Sequence, residues 1–243
     1  MELDKIYNLD CLEGMKQIPD HSVDAIIADP PYGTTRNQWD SVIPLDELWA
    51  EYRRVTKPNA AIVLFSQQPF TSALVMSNPD KFRYEWIWQK ENGTGHLNAK
   101  KMPLKEHENV LLFYDNLPIY NPQMKQGFEP YRFKSGDPST NYGSQHSVET
   151  INMGLRYPTT IVKFDRDNNG FHPTQKPVDL LRYLVLTYTN EGNTVLDNFM
   201  GSGTTAIACI REKRHFIGFE LNKEYYEKAK KRIESEQRQL TLF

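Results

Sequence analysis

The sequence predicts an α/β fold built on a mainly parallel β-sheet. Short apolar runs bounded by turn residues recur along the chain, helical patterns lie between several of them, and a glycine-containing turn joins a strand to a helix near the C-terminus. Strands that alternate with helices pair in parallel, because the helix supplies the crossover. The predicted strands are Lys5–Leu9, Val23–Ala28, Ala60–Phe65, Tyr84–Trp88, Val110–Tyr114, Thr194–Asp197 and Phe216–Phe219.

Four helical patterns lie between or after these strands. The Leu45–Thr56 segment repeats apolar residues at the spacing of one helix face, and Lys223–Glu236 is amphipathic and highly charged. Trp86 and Trp88 share one face of a predicted strand, so we expect them to pack in the core. The other two predicted helices are Val178–Thr189 and Thr204–Arg214.

Composition bounds the class of protein. The 243 residues, 39% hydrophobic and 25% charged, suffice for one large domain, alone or with an insertion. No membrane-spanning stretch and no signal peptide are expected, and Cys11 and Cys209 lack metal-ligand spacing, which favours a reduced cytoplasmic protein without a metal site. The net charge of −2 weighs slightly against nucleic-acid binding, although a local basic face is sufficient for it.

The middle of the chain differs from both ends. Residues 116–170 are rich in Pro, Asn, Gly, Ser and Tyr and show little periodicity, so we assign them to no regular element. A long irregular segment inside a compact domain is often functional. A second candidate contact region is the basic stretch that begins at Lys90, which fits either phosphate contacts or a solvated loop.

The segment Thr194–Thr205 predicts a nucleoside-binding turn. A strand ends at Asp197, Gly201 and Gly203 follow in a tight turn, and a helix then begins. The glycines let the backbone approach a ligand, and the helix N-terminus directs N–H donors at it. Glu220 ends the next strand, where a carboxylate can accept both hydroxyls of a ribose. Alone, this pattern fits an ordinary strand-to-helix turn equally well.

A second motif, Asp-Pro-Pro-Tyr, ends the Val23–Ala28 strand. The prolines Pro30 and Pro31 stop the strand and stiffen the turn. The Asp29 carboxylate and the Pro30 carbonyl are neighbouring acceptors, which suits a donor with two N–H groups such as the exocyclic amine of adenine or cytosine. Tyr32 adds a flat face for stacking. An isolated motif of this kind is also compatible with a simple proline turn.

Together these motifs resemble those of the permuted β group of DNA amino-methyltransferases. In that family the Asp-Pro-Pro-Tyr motif precedes a Phe-x-Gly-x-Gly motif near the C-terminus, as Asp29–Tyr32 precedes Phe199–Gly203 here. The segment His172–Pro177 (HPTQKP) matches the family segment that precedes the cofactor strand. Asn198 is a departure, because many relatives carry proline there. The resemblance covers nearly the whole chain except its irregular middle.

The resemblance implies a Rossmann-like class I methyltransferase sheet, circularly permuted, with one antiparallel strand. Lys5–Leu9 becomes its third strand and Thr194–Asp197 its first. Residues 1–115 and 171–243 form the catalytic domain, and residues 116–170, which include Arg132, Lys134 and Arg156, form the target-recognition insertion.

The resemblance also implies a role for each motif residue. Asp29 and Pro30 bind the target amine, and Tyr32 stacks on the base. Glu220 holds the cofactor ribose, and Asp10 contacts the cofactor adenine. The implied catalytic residues are Asp29, Pro30, Pro31 and Tyr32, and the implied S-adenosyl-L-methionine contacts are Asp10, Cys11, Asp29, Thr174, Lys176, Asp197, Phe199, Gly201, Gly203, Thr204 and Glu220.

The activity implied is methylation of adenine N6 in double-stranded DNA. Asp at the first motif position favours adenine over cytosine N4, since cytosine enzymes of this kind often carry Ser there. A catalytically silent DNA-binding or partner-binding subunit is a third hypothesis, and an RNA or protein methyltransferase is a fourth. A homodimer and a cognate restriction nuclease are candidate partners, and the residues decide neither.

Overall fold

The computed structural model describes residues 1–33, 43–134, 149–167 and 175–240. The chain divides into two compact units, Met1–Asn121 with Thr160–Phe243 and Pro122–Thr159. The second unit spans fewer residues than the insertion expected at residues 116–170. No helix in the described part of the chain is both long and apolar enough to cross a membrane.

Ten strands and six α-helices make up the described chain. The strands are β1 Lys5–Tyr7, β2 Val23–Ala28, β3 Thr56–Ser66, β4 Phe82–Thr94, β5 Lys105–Phe113, β6 Tyr131–Lys134, β7 Glu149–Asn152, β8 Ile161–Lys163, β9 Thr194–Asp197 and β10 His215–Phe219. The helices are α1 Cys11–Met15, α2 Leu45–Val55, α3 Phe70–Ser77, α4 Val178–Tyr188, α5 Thr204–Arg211 and α6 Lys223–Leu240.

The larger unit is organised by an eight-stranded sheet of order β1-β10-β9-β2-β3-β5-β4-β8. All of its strands run in the same direction except β5, which is antiparallel to both neighbours. The predicted α/β class with a mainly parallel sheet is therefore confirmed. Counted outward from β9 as the first strand, β1 is the third, which is the place that the resemblance implies for Lys5–Leu9.

Apolar side chains cover both faces of this sheet. Successive residues of a strand point to opposite faces. Accordingly, Ile27 and Val195 pack with α4, α5 and α6, whereas Ile26 and Leu196 pack with α1, α2 and α3. Strands buried on both faces read as continuous apolar runs, which is why β2 and β9 were recognisable in the sequence.

The predicted tryptophan packing is confirmed. Trp86 is 3% exposed and Trp88 2% exposed, and both belong to the core between the sheet and α4. The Trp86 indole N–H donates to the Tyr188 hydroxyl at 2.6 Å, and the Trp88 indole N–H donates to the Phe164 carbonyl at 2.9 Å. These bonds satisfy the polar end of each buried ring.

Several elements differ from the sequence prediction. The strand β1 ends at Tyr7 instead of Leu9, because Asp10 already caps α1 by accepting from the Leu12 and Glu13 amides. The helix α3 was missed, since its apolar residues show no one-sided period. β4 continues to Thr94 and carries Lys90 into the sheet, where that side chain is buried, so Lys90 lies neither in a solvated loop nor on a phosphate-binding surface.

The second unit contains regular structure that the sequence did not reveal. Strands β6 and β7 pair antiparallel, with Tyr131 opposite Asn152 and Lys134 opposite Glu149. The Arg156 guanidinium lies over the Tyr131 ring at 4.6 Å. Strands of four residues are too short for a two-residue alternation to stand out, which explains why residues 116–170 looked uniformly irregular.

Candidate active site

Four carboxylates meet at one edge of the sheet. Asp10 follows β1, Glu220 follows β10, Asp197 ends β9 and Asp29 follows β2. These strands are adjacent and parallel, so their carboxyl ends lie side by side, where open α/β sheets bind their ligands. All four residues line one cavity of about 820 Å³.

The cavity also brings together most of the other predicted site residues. Thr174 lies outside the described residues. Gly203 is the one described member of the predicted set that does not line the cavity. The predicted residues that line it are Asp10, Cys11, Asp29, Pro30, Pro31, Tyr32, Lys176, Asp197, Phe199, Gly201, Thr204 and Glu220.

The two glycines of the loop after β9 serve different purposes. Gly201 has a φ of 51°, and a Cβ there would meet only the Phe199 carbonyl oxygen, at 3.9 Å, so its backbone can lie against a ligand. Gly203 has a φ of 81°, and a Cβ there would lie 3.3 Å from the Ala229 Cβ on α6. The first glycine thus leaves room in the cavity, and the second lets α5 begin directly beneath α6.

Glu220 ties the glycine loop to the end of β10. Its Oε2 accepts from the Gly201 amide at 2.9 Å, and its Oε1 accepts from the Asn222 amide at 2.8 Å. Burial raises the pKa of Glu220 above its usual value, although these two amides oppose the rise. Each carboxylate oxygen has a further lone pair, so Glu220 can accept two more donors from the cavity side.

Asp197 is almost fully buried at 4% exposure. It accepts from the Phe199 amide at 3.0 Å and from the Thr205 hydroxyl at 2.6 Å. Burial nevertheless raises its pKa to about 7, since these donors offset only part of the desolvation. Among the described residues, neither Asp197 nor Glu220 has an ion-pair partner. The cavity is therefore suited to a ligand that carries positive charge.

Asp10 and Cys11 form the wall at the start of α1. The Asp10 Oδ1 accepts from the Leu12 amide at 2.9 Å and so caps the helix. Burial, together with the neighbouring Asp10 charge, raises the pKa of the Cys11 thiol to about 12, which leaves it an uncharged apolar contact. Asn198, the departure from proline, is fixed by the Tyr52 hydroxyl, which donates to its Oδ1 at 2.8 Å.

The Asp29 carboxylate is held from two sides. The Tyr32 hydroxyl donates to its Oδ1 at 2.6 Å, and the Lys176 ammonium donates to its Oδ2 at 2.5 Å. The Tyr32 ring stacks on Phe70 at a centroid distance of 5.4 Å. Asp29 itself keeps a side-chain exposure of 30% and lines the cavity, so its carboxylate is accessible from there.

Lys176 is a buried cation between two acids. Burial alone would lower the pKa of Lys176, but the Asp29 and Glu108 carboxylates more than reverse this and raise it above the usual lysine value. Lys176 therefore remains charged and keeps Asp29 paired.

Sequence reasoning missed several cavity residues. Glu108 comes from β5 and reaches Lys176 at 3.2 Å, and Asn222 caps the start of α6. The sequence around each of these two residues resembles no binding motif, and only the fold brings them to the cavity. The described residues contain no cluster of His, Cys, Asp and Glu able to hold a metal ion. Other lining residues outside the predicted set include Leu9, Phe65, Gln67, Gln175, Leu181 and Tyr225.

Comparison with solved structures places the fold among DNA methyltransferases. The structure titled M1.HpyAVI-SAM complex is 28% identical to this chain, covers 94% of it and 98% of that chain, and gives a TM-score of 0.66. The PvuII DNA methyltransferase, titled cytosine-N4-specific, is 16% identical, covers 96% and 91%, and gives a TM-score of 0.68. The second likeness concerns the fold alone.

Sequence relatives agree with the structural ones. The type II methyltransferase M.HpaI of Haemophilus parainfluenzae is 29% identical over 93% of this chain and 72% of its own length. The type II methyltransferase M1.MboII of Moraxella bovis is 28% identical over 94% and 96%, respectively. The model of the N6/N4 family, described as DNA methylase, matches residues 23–231. Because that match spans most of the 243 residues, the chain belongs to the N6/N4 DNA methylase family.

Proposed function

We propose that this protein methylates N6 of adenine in double-stranded DNA. As an N6/N4 DNA methylase it acts on DNA and uses S-adenosyl-L-methionine as the methyl donor. The observation that carries the choice of adenine is the aspartate at the first position of the proline turn, held with its acceptor side toward the cavity. The order of the two motifs further supports membership of the permuted β group.

The cavity suits this cofactor in size and in charge. Ligand pockets have volumes of about 300–1,000 Å³, and this one has about 820 Å³. S-adenosyl-L-methionine carries an ammonium and a sulfonium, and Asp197 and Glu220 offer carboxylates without described cationic partners. We assign Glu220 to the ribose hydroxyls, Asp197 to the methionine amine and Asp10 to the adenine. Cys11, Phe199, Gly201 and Thr204 complete the wall around them.

The Asp29 turn is suited to bind the target amine. Tyr32 donates one hydrogen bond to Oδ1 of Asp29, and Lys176 donates one to Oδ2. Each oxygen keeps a second lone pair that can accept an incoming N–H. The carbonyl of Pro30 supplies a neighbouring acceptor in a turn that the two prolines keep rigid. Lys176 acts on the carboxylate in this scheme, and we also assign it to the methionine end of the cofactor, as the resemblance implies.

This arrangement addresses the weakness of an aromatic amine as a nucleophile. The lone pair of the amine is delocalised into the ring. When Asp29 and Pro30 accept hydrogen bonds from both N–H groups, the nitrogen turns towards tetrahedral geometry. When bound, S-adenosyl-L-methionine supplies a methyl carbon already activated by positively charged sulfur, so no strong base is needed beforehand. The remaining requirement is alignment, which Asp29 and Pro30 provide. The base must first leave the duplex stack to reach this turn.

We assign target recognition to the second unit, Pro122–Thr159. Its hairpin exposes Arg132, Lys134 and the aromatic Phe133, which suit contacts with phosphates and bases. Both sequence relatives are named type II methyltransferases, and we propose the same class for this chain, as the modification component of a restriction–modification system.

Cytosine-N4 methylation is the principal alternative, because the same two acceptors fit its exocyclic amine. A silent binding subunit is disfavoured, since the cavity retains both the proline turn and the glycine loop with Glu220. Incubating the protein with methyl-labelled cofactor and mixed-sequence DNA, followed by digestion to nucleosides, separates these functions. We expect the label on N6-methyldeoxyadenosine. Label on N4-methyldeoxycytidine would establish the alternative, and unlabelled DNA would indicate a silent subunit.

A further inference from the structure

A chain of alternating charges runs from the interior of the sheet to the cavity. Lys90 on β4 donates to the Oε1 of Glu108 on β5, and the Oε2 of Glu108 lies 3.2 Å from the Lys176 ammonium. Lys176 in turn donates to Asp29 at 2.5 Å. We call Lys90, Glu108, Lys176 and Asp29 the charge chain. Each member contacts the next, and only the last one faces the target amine in the proposed function.

Three of the four members are largely withdrawn from water, and Asp29 is the most exposed. The side-chain exposure is 30% for Asp29, 9% for Lys176, 12% for Glu108 and 6% for Lys90. Charges withdrawn from water are costly and are tolerated when paired. Two ammonium groups and two carboxylates alternate here, so every buried charge has an opposite neighbour. Glu108 is the only member in contact with both lysines.

Removing the negative charge of Glu108 would leave the charge chain with two cations and one anion. Lys90 would then lose the carboxylate with which it pairs, and Lys176 would keep Asp29 as its one described carboxylate partner. Lysine has a flexible four-carbon stem and binds as a point charge, so a single partner does not fix its position. The Asp29 carboxylate would still have Tyr32 on Oδ1, but the ammonium at its Oδ2 would no longer be held by a second carboxylate.

We propose that Glu108 is a positioning residue for methyl transfer, which holds Lys176 where Lys176 fixes the carboxylate of Asp29. The inference rests on the proposed function, because it takes Asp29 as the acceptor of the target amine. Glu108 itself touches neither the amine nor the methyl donor in this scheme. Displacements of about 1 Å at a reacting group can reduce rates on the order of 100-fold, so an indirect contact of this kind is sufficient to matter.

A purely structural role for Glu108 makes a different prediction. If Glu108 only filled space, the neutral isostere glutamine would replace it best, and the shorter aspartate would leave a gap. If its charge positions Lys176, aspartate would serve better than glutamine. The rank order of Glu108→Gln and Glu108→Asp therefore separates the two roles.

The test is a single-turnover measurement of methyl transfer to DNA with saturating S-adenosyl-L-methionine and full-length protein. We expect Glu108→Gln to lower the rate constant on the order of 100-fold and Glu108→Asp about tenfold, with smaller changes in the dissociation constants of cofactor and DNA. Glu212→Gln is the matched control, because Glu212 pairs with Arg182 at 2.6 Å, has 14% side-chain exposure and lies outside the cavity.

Three results would overturn the inference: a Glu108→Gln rate equal to that of Glu212→Gln, a Glu108→Asp variant slower than Glu108→Gln, or a rate loss explained entirely by weaker binding. If Glu108→Gln fails to fold, the aspartate variant decides alone. Its shorter side chain keeps the charge but moves it, so a lower rate with unchanged binding supports the proposal, and a wild-type rate contradicts it. Failure of the proposed function has a separate signature, since the wild-type protein would then place no label on adenine.

Discussion

At the level of single residues, the candidate site depends on how burial acts on its carboxylates. Asp197 has a pKa of about 7 because it is withdrawn from water, whereas Asp29 has Lys176 as a direct ionic partner. The two acids therefore suit different tasks. Asp197 is poised to pair with an incoming cation, and Asp29 is already held as a directed acceptor.

This difference predicts that cofactor affinity depends on pH. A bound ammonium favours the ionised form of Asp197, so affinity falls as the pH drops below the pKa of about 7. We expect the dissociation constant of S-adenosyl-L-methionine to be about tenfold higher at pH 6 than at pH 8 by calorimetry. The Asp197→Asn variant should bind more weakly and lose this dependence. Equal affinities of the unmodified protein at both pH values would exclude a cationic partner for Asp197.

A second residue-level prediction concerns Glu220. Replacing it with alanine removes a charged acceptor from the proposed ribose site. Hydrogen bonds to charged groups contribute about 1.5–3 kcal/mol each, so Glu220→Ala should weaken cofactor binding on the order of 100-fold. Glu224→Ala, at an exposed carboxylate on α6, serves as the control. Calorimetry that finds the same affinity for both variants would remove Glu220 from the cofactor site.

Residues of the two motifs could be predicted from the sequence, and Glu108 could not. Asp29, Pro30 and Tyr32 are neighbours in the chain, so their chemistry is visible without the fold. Glu108 gains its place only because β5 lies between β3 and β4 in the sheet. Lys90 looked like a surface cation because sequence spacing does not show that β4 continues past Trp88 and buries it beside Glu108.

At the level of elements, the doubly buried strands were the most predictable. β2 and β9 have the predicted bounds, because a strand covered on both faces reads as an unbroken apolar run. β8 has three residues and one buried side chain, and it is specified by its pairing with β4 rather than by its own sequence. Elements fixed by long-range pairing leave little local signal.

The packing of α5 beneath α6 gives a prediction about stability. Gly203 and Gly192 both have positive φ, at 81° and 78°, but only Gly203 has neighbours within contact distance of an added Cβ. Each Gly→Ala change carries a conformational cost of about 1–2 kcal/mol. Gly203→Ala should lower the free energy of unfolding in urea by about 1 kcal/mol more than Gly192→Ala does, because the added Cβ would crowd Ala229 and Ile233. Equal losses in the two variants would show that this packing is not tight.

At the level of the whole molecule, the chain has a net charge of −2 and yet belongs to a family that acts on DNA. Cationic surface must therefore be local, and the exposed hairpin of the second unit is our candidate. The sequence indicated an unusual middle segment, but its hairpin and its bounds, Pro122–Thr159, came from the structure. Short strands without periodicity cannot be located by pattern alone.

This assignment predicts a change in DNA binding. Lys134→Ala removes an exposed cation of the hairpin and should lower DNA affinity to a similar extent on different sequences, with the salt-dependence slope reduced by about one. Cofactor affinity should not change. Lys5→Ala, at an exposed position on β1, is the control. If both variants bound DNA equally well in a salt titration, Lys134 would not be a phosphate contact.

The most direct test of the whole account is the Asp29→Ala variant, assayed for single-turnover DNA methylation and for cofactor binding by calorimetry. We predict that methyl transfer is abolished while S-adenosyl-L-methionine still binds, because we assign the target amine to the proline turn and the cofactor to the glycine loop. A variant that methylates DNA at the wild-type rate would contradict it.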